Sequence, residues 1–241
     1  MFKKIILAFL FILLVGYAVF FMLNHKTEVV VDIKTFTPVY FAWPASHEGV
    51  SNILVTDKPY FIKNEPIYYG NRQVYGCMNL GNYEYNQYCF AIDIATPENT
   101  VMYFDFNQNY NLTDDGGPLI NQGAFKKNSL GFAATLSIPW QQVMAYSPFE
   151  GAFDIWFYAN EDAGALRTFS HYSRTQLEGY IPIGKKFYHA YIADNDINDA
   201  DLTNDGISIE VKQGKWLKLS NEEIGKTAVI NGKKFILRIL Y

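Results

Sequence analysis

Oxygen-bearing side chains stand at every second position of DFNQNYNLTDDGG, which starts at Asp105 directly after the apolar run TVMYF. Hard divalent cations take six to eight oxygens, and calcium loops of the EF-hand kind supply them from alternate residues and a final acid at the twelfth position. Counted that way, Asp105, Asn107 and Asn109 fill the first three ligand places, followed by the carbonyl of Asn111 and then Thr113. Asp114 or Asp115 must then serve for the last acid, because Gly116 occupies its place. A second segment, DNDINDADLTNDG, offers Asp194, Asp196, Asn198, the carbonyl of Ala200, Asp201, and Asp205 at the twelfth position. Neither loop has a glycine at the sixth position, where Tyr110 and Asp199 stand; of the two, Asp is expected to accept left-handed backbone better. Strand-forming residues before both loops speak for a calcium loop at the end of a strand rather than a helix-loop-helix. The same residues also build solvated turns in which Asp and Asn bond their own backbone, and both readings stand. NLT at Asn111 is a glycosylation sequon, and a glycan there would obstruct the first loop.

The two cysteines, Cys77 and Cys89, lie in YGCMNLGNYEYNQYCFAID. A hairpin turning around Tyr83 would bring them nearly opposite each other, where an exported domain keeps a disulfide. Two separate buried thiols fit the same residues, and neither reading makes them catalytic, since no CxxC spacing occurs. The histidines at positions 25, 47, 171 and 189 lack metal-ligand spacing, and His189 reads as a half-buried structural residue. There is no nucleophile elbow, phosphate-binding loop or dinucleotide fingerprint. Trp43, in YFAWPASHEG, and Trp156, in FDIWFYANED, are candidate platforms for sugar rings or peptides, with core packing as the alternative.

The chain has 241 residues, 49% hydrophobic and 17% aromatic, with a formal charge of −4. That is ample material for a packed core, and its averaged surface offers no footprint for nucleic acid. MFKK precedes the uncharged run IILAFLFILLVGYAVFFML, Ile5 to Leu23. As a helix this run spans about 28 Å, close to one bilayer core. The two lysines before it predict a single-pass cell-membrane anchor with everything after Asn24 outside the cytoplasm. The competing expectation is a cleaved signal peptide, with Gly16 and Ala18 at the cut, which leaves the protein secreted or periplasmic.

Beyond the leader, short runs rich in Val, Ile, Tyr, Phe and Thr recur between Gly, Pro, Asn and Asp. VVVDIKTF, NILVTD, CFAIDIA, TVMYFDF, FAATLSIPW, AFDIWFYA, KFYHAYIAD, ISIEV, KWLKL and FILRILY read as strands. PWQQVMAY and SNEEIGK, the latter with Ser220 and Glu223 as a capping box, predict one or two helical turns. The fold class expected is all-β, an antiparallel sandwich or two related β subdomains behind an N-terminal transmembrane helix. The domain reading is 1–23 as anchor or signal, 24–150 as the first β half, and 151–241 as the second. A faint internal echo supports two halves: YGCMNLG is mirrored by GYIPIG, and GKKF occurs at Gly184 and again at Gly232.

YYGNRQVYGCMNLG, CFAIDI, MYFDFNQNYNLTDDGG and YIPIGKKFYHAYIADNDINDADLTNDG resemble a group of uncharacterised exported bacterial proteins. In that group a G-x-L-x-L-G hairpin precedes a D-x-N-x-N-x-D-L-x-D-D-G loop. The resemblance implies a β-rich exported protein with oxygen-lined loops, and Asn111 stands where the pattern carries Asp. The function expected is a membrane-anchored, extracytoplasmic β-rich binding or structural protein with calcium-stabilised loops and an envelope glycan or protein as partner. The alternative is a hydrolase of cell-envelope or extracellular polysaccharide using an Asp/Glu pair near the tryptophans. An outer-membrane barrel, suggested by FILRILY, fits the long leader poorly.

Overall fold

The computed structural model describes residues 13–17, 26–41, 50–82, 86–96, 99–123, 131–162, 165–194 and 200–241, and they form an all-β protein. The strands are β1 (Thr27–Asp32), β2 (Thr37–Tyr40), β3 (Val50–Ile53), β4 (Arg72–Asn79), β5 (Gln87–Ile94), β6 (Thr100–Phe104), β7 (Leu119–Ile120) and β8 (Gly131–Pro139). They continue with β9 (Ala152–Asp162), β10 (Ala165–Ser173), β11 (Thr175–Ile183), β12 (Lys186–Ala193), β13 (Ile207–Lys212), β14 (Lys215–Leu219), β15 (Thr227–Ile230) and β16 (Lys233–Leu240). Each run read as a strand from its alternation contributes to one. Residues 13–17 are helical, and among the described residues no helix is long and apolar enough to cross a membrane. Most of the apolar run Ile5 to Leu23 lies outside the described residues.

The chain forms two compact units that interleave in sequence. Unit one holds Met1–Thr35, Gly179–Ala190 and Gly206–Tyr241; unit two holds Phe36–Glu178 and Tyr191–Asp205. Both sides of the expected boundary between residues 150 and 151 lie in unit two. The reason is register: β8 and β9 flank that point and pair along their whole length, Gly131 with Asn160 through Pro139 with Ala152.

Unit two contains two four-stranded antiparallel sheets, ordered β3-β10-β9-β8 and β4-β5-β6-β7, and the start of β11 pairs with β2. β9 alternates between buried and half-buried residues, as its sequence pattern requires of a sheet with one wetter face. β5 is instead buried from Tyr88 to Ile94. The two sheets meet through Phe90 of β5, whose ring centroid lies 5.0 Å from those of both Phe157 on β9 and Phe169 on β10. Gly76 sits opposite Phe90, and a Cβ built on it would lie 2.5 Å from the Phe90 Cζ, so only glycine leaves room for the ring. Trp140 opens the short helix Trp140–Val143 directly after Pro139 and packs on Phe149 and Phe153.

Unit one contains the hairpins β13-β14 and β15-β16, and β1 lies beside β16. β1 runs parallel to β16, Thr27 beside Phe235 through Asp32 beside Leu240, a parallel pair beside the antiparallel sheets that were expected. The two strands are far apart in sequence, so no tight turn dictates their direction. Val29 and Val31 point inward with Phe235 and Leu237. The predicted turn at Ser220 is a 3₁₀ turn, Asn221–Glu223, in which Glu223 accepts hydrogen bonds from the Ser220 N–H and hydroxyl.

Glu65 ties the segment before β4 to β4 itself. Glu65 accepts hydrogen bonds from the hydroxyls of Tyr75 at 2.7 Å and Tyr68 at 2.9 Å, and pairs with Lys58 at 3.2 Å. Burial works against this carboxylate, but those bonds outweigh it and hold Glu65 below its ordinary value of 4.5. Burial and the Glu65 hydrogen bond push Tyr75 up to about 12. A lowered folded-state pKa stabilises above the unfolded value and is lost as pH falls through the folded one. The urea midpoint is therefore expected to drop on acidification below pH 4.5, and less so in Glu65→Gln. Tyr75→Phe should cost about 1.5 kcal/mol at neutral pH and nothing further in acid.

Candidate metal-binding loops

The first Asp/Asn loop leaves β6 at Asp105, whose N–H donates to the Cys89 carbonyl at 2.9 Å and whose side chain is fully buried. Its carboxylate turns the chain by accepting the Asn109 N–H on Oδ1 at 3.0 Å and the Tyr110 N–H on Oδ2 at 2.8 Å. Three asparagines continue as linked Asx turns. Asn107 Oδ1 takes the N–H of Asn109, Asn109 Oδ1 that of Asn111, and Asn111 Oδ1 that of Thr113. Leu112 plugs the loop into a cluster with Ile62, Tyr75, Ala91 and Tyr103. Lys63 closes it from outside, its ammonium donating to the Asn109 carbonyl at 2.9 Å.

Tyr110 adopts φ +63°, contrary to the expectation that a bulky residue would avoid left-handed backbone there. Its strain of about 1–2 kcal/mol is offset by its bond to Asp105, by ring contact with Phe61, and by its carbonyl accepting the Lys63 N–H.

The described residues of the second loop repeat part of this construction. After β12, Asp194 Oδ2 accepts the N–H of Ala200 at 2.8 Å, and Ala200 has φ +64°. Asp201 Oδ1 accepts the N–H of Thr203 at 2.9 Å and its hydroxyl at 2.5 Å; Asn111 does the same for Thr113 at 3.1 and 2.7 Å. Leu202 is buried as Leu112 is. The correspondence therefore runs from the shared LTxDG end, with Asn111 matching Asp201, Asp114 matching Asn204, and Asp115 matching the buried Asp205. This corrects the register obtained by counting both loops forward from their first Asp, since the second loop is one residue longer. Asp196 and Asn198 lie outside the described residues.

In the first loop, the side-chain amides of Asn107, Asn109 and Asn111 all donate to the Asp114 carboxylate, at 3.2, 2.9 and 2.9 Å. The Asn109 hydrogen bond leads in holding Asp114 below its ordinary range. Asp115 differs: Oδ1 accepts the Asn107 N–H at 3.0 Å, while the buried Oδ2 has no hydrogen-bond partner. Burial raises Asp115, and the charges of Asp105 and Asp114 add to it. Burial also raises Asp105, against the bonds from Tyr110 and Asn109. The loop thus holds three carboxylates in one another's field. Among the described residues no three Asp, Glu, His or Cys side chains form a ready metal cluster, so any ion here draws on the asparagine oxygens, backbone carbonyls and water as well.

The other sequence candidates fall elsewhere. Cys77 and Cys89 are bridged, directly opposite on β4 and β5 with Cα atoms 4.1 Å apart. Trp156 lies on the half-buried face of β9, opposite Thr135 and Tyr172, with the Arg174 guanidinium 5.7 Å from its ring centroid. Beside it Tyr158 and Tyr172 stack, their hydroxyls 2.9 Å apart. Trp43 lies outside the described residues. A cavity of about 350 Å³ in unit two is walled by Tyr69, Asp93, Val101 and Ile120 among others, and among the described residues Asp93 is the carboxylate that lines it. Asp93 is fully engaged by the N–H groups of Tyr69 and Gly70 and the amide of Gln73, so it fastens the turn before β4. His189 is held in unit one between Tyr180 and Trp216, 3.9 Å from Glu210. Lys63, whose ammonium holds the Asn109 carbonyl, escapes a reading based on ligand types, and the repeated LTxDG was the available signal for how the two loops correspond. No protein-family model, curated protein or solved structure matches the chain.

Proposed function

We propose that this chain is a membrane-anchored, extracytoplasmic β-rich binding or structural protein whose two Asp/Asn loops are calcium staples. The observation that carries the reading is the duplication. Two loops, each following a strand, share an Asp that takes an N–H from a left-handed residue, an Asn or Asp that takes both donors of a Thr, and a final Asp with a buried oxygen. In the first loop, a divalent cation would compensate the charge that burial first, and the neighbouring carboxylates after it, disfavour on Asp105 and Asp115. Calcium outside cells is abundant enough for weak sites of this kind. The Ile5 to Leu23 segment supplies the anchor, or the export signal if it is cleaved. In the finer fold reading, the paired sheets of unit two are a sandwich, and the face bearing Trp156 and the Tyr158–Tyr172 stack receives an envelope glycan or protein.

The test is thermal melting of the protein in millimolar calcium and in chelator. At ten times the dissociation constant calcium adds about 1.4 kcal/mol, a rise of a few degrees. The Asp105→Ala, Asp194→Ala double variant should melt lower and show no calcium response. A shift of equal size in that variant would dispose of the staple. Alkaline extraction of cell membranes reads the anchor separately.

A further inference from the structure

The formal charge of −4 is the sum of two opposed parts. Unit one carries 13 basic and 5 acidic groups, or +8, of which Lys3 and Lys4 precede the apolar run and the part after it carries +6; unit two carries the remaining 7 basic and 19 acidic, or −12. Within unit one five of the 13 basic groups, Lys26, Lys185, Lys186, Lys233 and Lys234, stand on two abutting turns and at the strand start beside them. The β11-β12 turn reads Gly184-Lys185 and runs into Lys186 and Phe187; the β15-β16 turn reads Asn231-Gly232 and runs into Lys233 and Lys234. These two GKKF turns abut. A Cβ built on Gly184 would lie 3.1 Å from the Lys233 Nζ, and the Asn231 amide donates to the Tyr188 hydroxyl at 3.2 Å. No acidic residue occurs in 183–188 or 231–235, while Lys185, Lys186 and Lys233 are exposed and Phe187 is 74% exposed.

The parallel pairing of β1 decides what these turns face. Thr27 lies beside Phe235, so β1 begins at the β15-β16 lysine turn, with exposed Lys26 just before it. Only Asn24, His25 and Lys26 separate Thr27 from the apolar run, a reach of about 14 Å. The geometry points to a membrane contact: Lys26, Lys185, Lys186, Lys233 and Lys234, with Phe187 among them, bind the anionic phospholipid headgroups around the anchor. The inference rests on the anchor reading above. Lysines near an anionic leaflet each strengthen binding about fivefold, and an aromatic ring among them suits the interface.

The test uses the whole chain with phosphatidylcholine vesicles, or with vesicles in which phosphatidylglycerol replaces part of the phosphatidylcholine. Resistance to an alkaline wash on phosphatidylcholine reads the anchor. Amide exchange over 183–188 and 231–235 reads the lysine contact. Both turns are expected to exchange at least about fivefold more slowly on the anionic vesicles than on the neutral ones. That protection should vanish near 1 M salt and in the variant Lys185→Gln, Lys186→Gln, Lys233→Gln, Lys234→Gln. Should the variant not fold, the salt dependence of the unaltered chain decides alone. If the chain washes off phosphatidylcholine, the anchor reading fails, and salt-sensitive sedimentation with phosphatidylglycerol vesicles alone still supports the contact. Equal exchange on both vesicles in the washed chain, or no sedimentation of a chain that washes off, overturns it. So does protection of the turns by soluble polyphosphate without protection by phosphatidylglycerol, which would assign them to an anionic polymer.

Discussion

Phe90→Ala is expected to lower the stability of unit two by about 4 kcal/mol, a large part of what a domain of this size possesses. The ring is fully buried at the middle of β5 and meets Phe157 and Phe169 of the facing sheet edge-on at 5.0 Å, with Phe104 stacked beside it at 6.4 Å. Truncation removes the burial of the ring, three aromatic contacts, and the filling of a space that the neighbouring strands cannot close. Collapse is obstructed from the partner strand as well, because Gly76 has no side chain to move into the void. Urea unfolding followed by near-ultraviolet dichroism measures the loss. Phe187→Ala, which removes a ring 74% exposed in unit one, is the control and should shift the midpoint by less than about 0.5 kcal/mol. A loss at Phe90 no larger than the control would mean that the two sheets are not held by this ring cluster.

The same cluster shows what was legible in the chain and what was not. Alternation marked β9 and β13, and continuous apolar runs marked β5 and β6, because side-chain period and burial are local properties. β10 and β11, ALRTFSHYS and TQLEGYIPI, escaped: they bury Ser170, His171, Ser173 and Gln176, so their inward faces are written partly in polar residues. The parallel partnership of β1 with β16 joins the two ends of the chain and has no local signature, and the interleaved units follow from such long-range pairing. For that reason the average charge concealed the separation of +8 from −12.

The loops were visible as oxygen-rich alternation, but ligand counting from the front misaligned them. What the two hold in common is the bonding that shapes the backbone, Asp105 with Tyr110 and Asp194 with Ala200, then the Thr clasped by Asn111 or Asp201. Carboxylate and amide are exchanged between them at the two positions after that turn. Asn111 and Asp114 stand in one loop, Asp201 and Asn204 in the other. Spacing of ligand types alone therefore cannot register one loop on the other.

Removing the Cys77–Cys89 bridge by Cys77→Ala, Cys89→Ala is expected to cost about 3 kcal/mol, the chain entropy of closing a short loop, and to weaken the first Asp/Asn loop as well. The bridge ties β4 to β5 at a directly opposed pair, 12 residues apart in sequence, and fixes the register that sets Gly76 against Phe90. It also reaches the candidate site, because the carbonyl of Cys89 accepts the N–H of Asp105, the residue from which the whole loop is hung. Urea unfolding of the double variant, and of the native chain with and without reductant, measures the stability term; an unchanged midpoint in both would show that the hairpin holds its register without the bridge. The rise in melting temperature that the calcium proposal predicts measures the coupling. If the loop depends on the strand behind it, that rise shrinks in the double variant, whereas Phe187→Ala leaves it whole. A loop that responds to calcium equally with and without the bridge would be a unit independent of the hairpin, organised by Asp105, Lys63 and Leu112 alone.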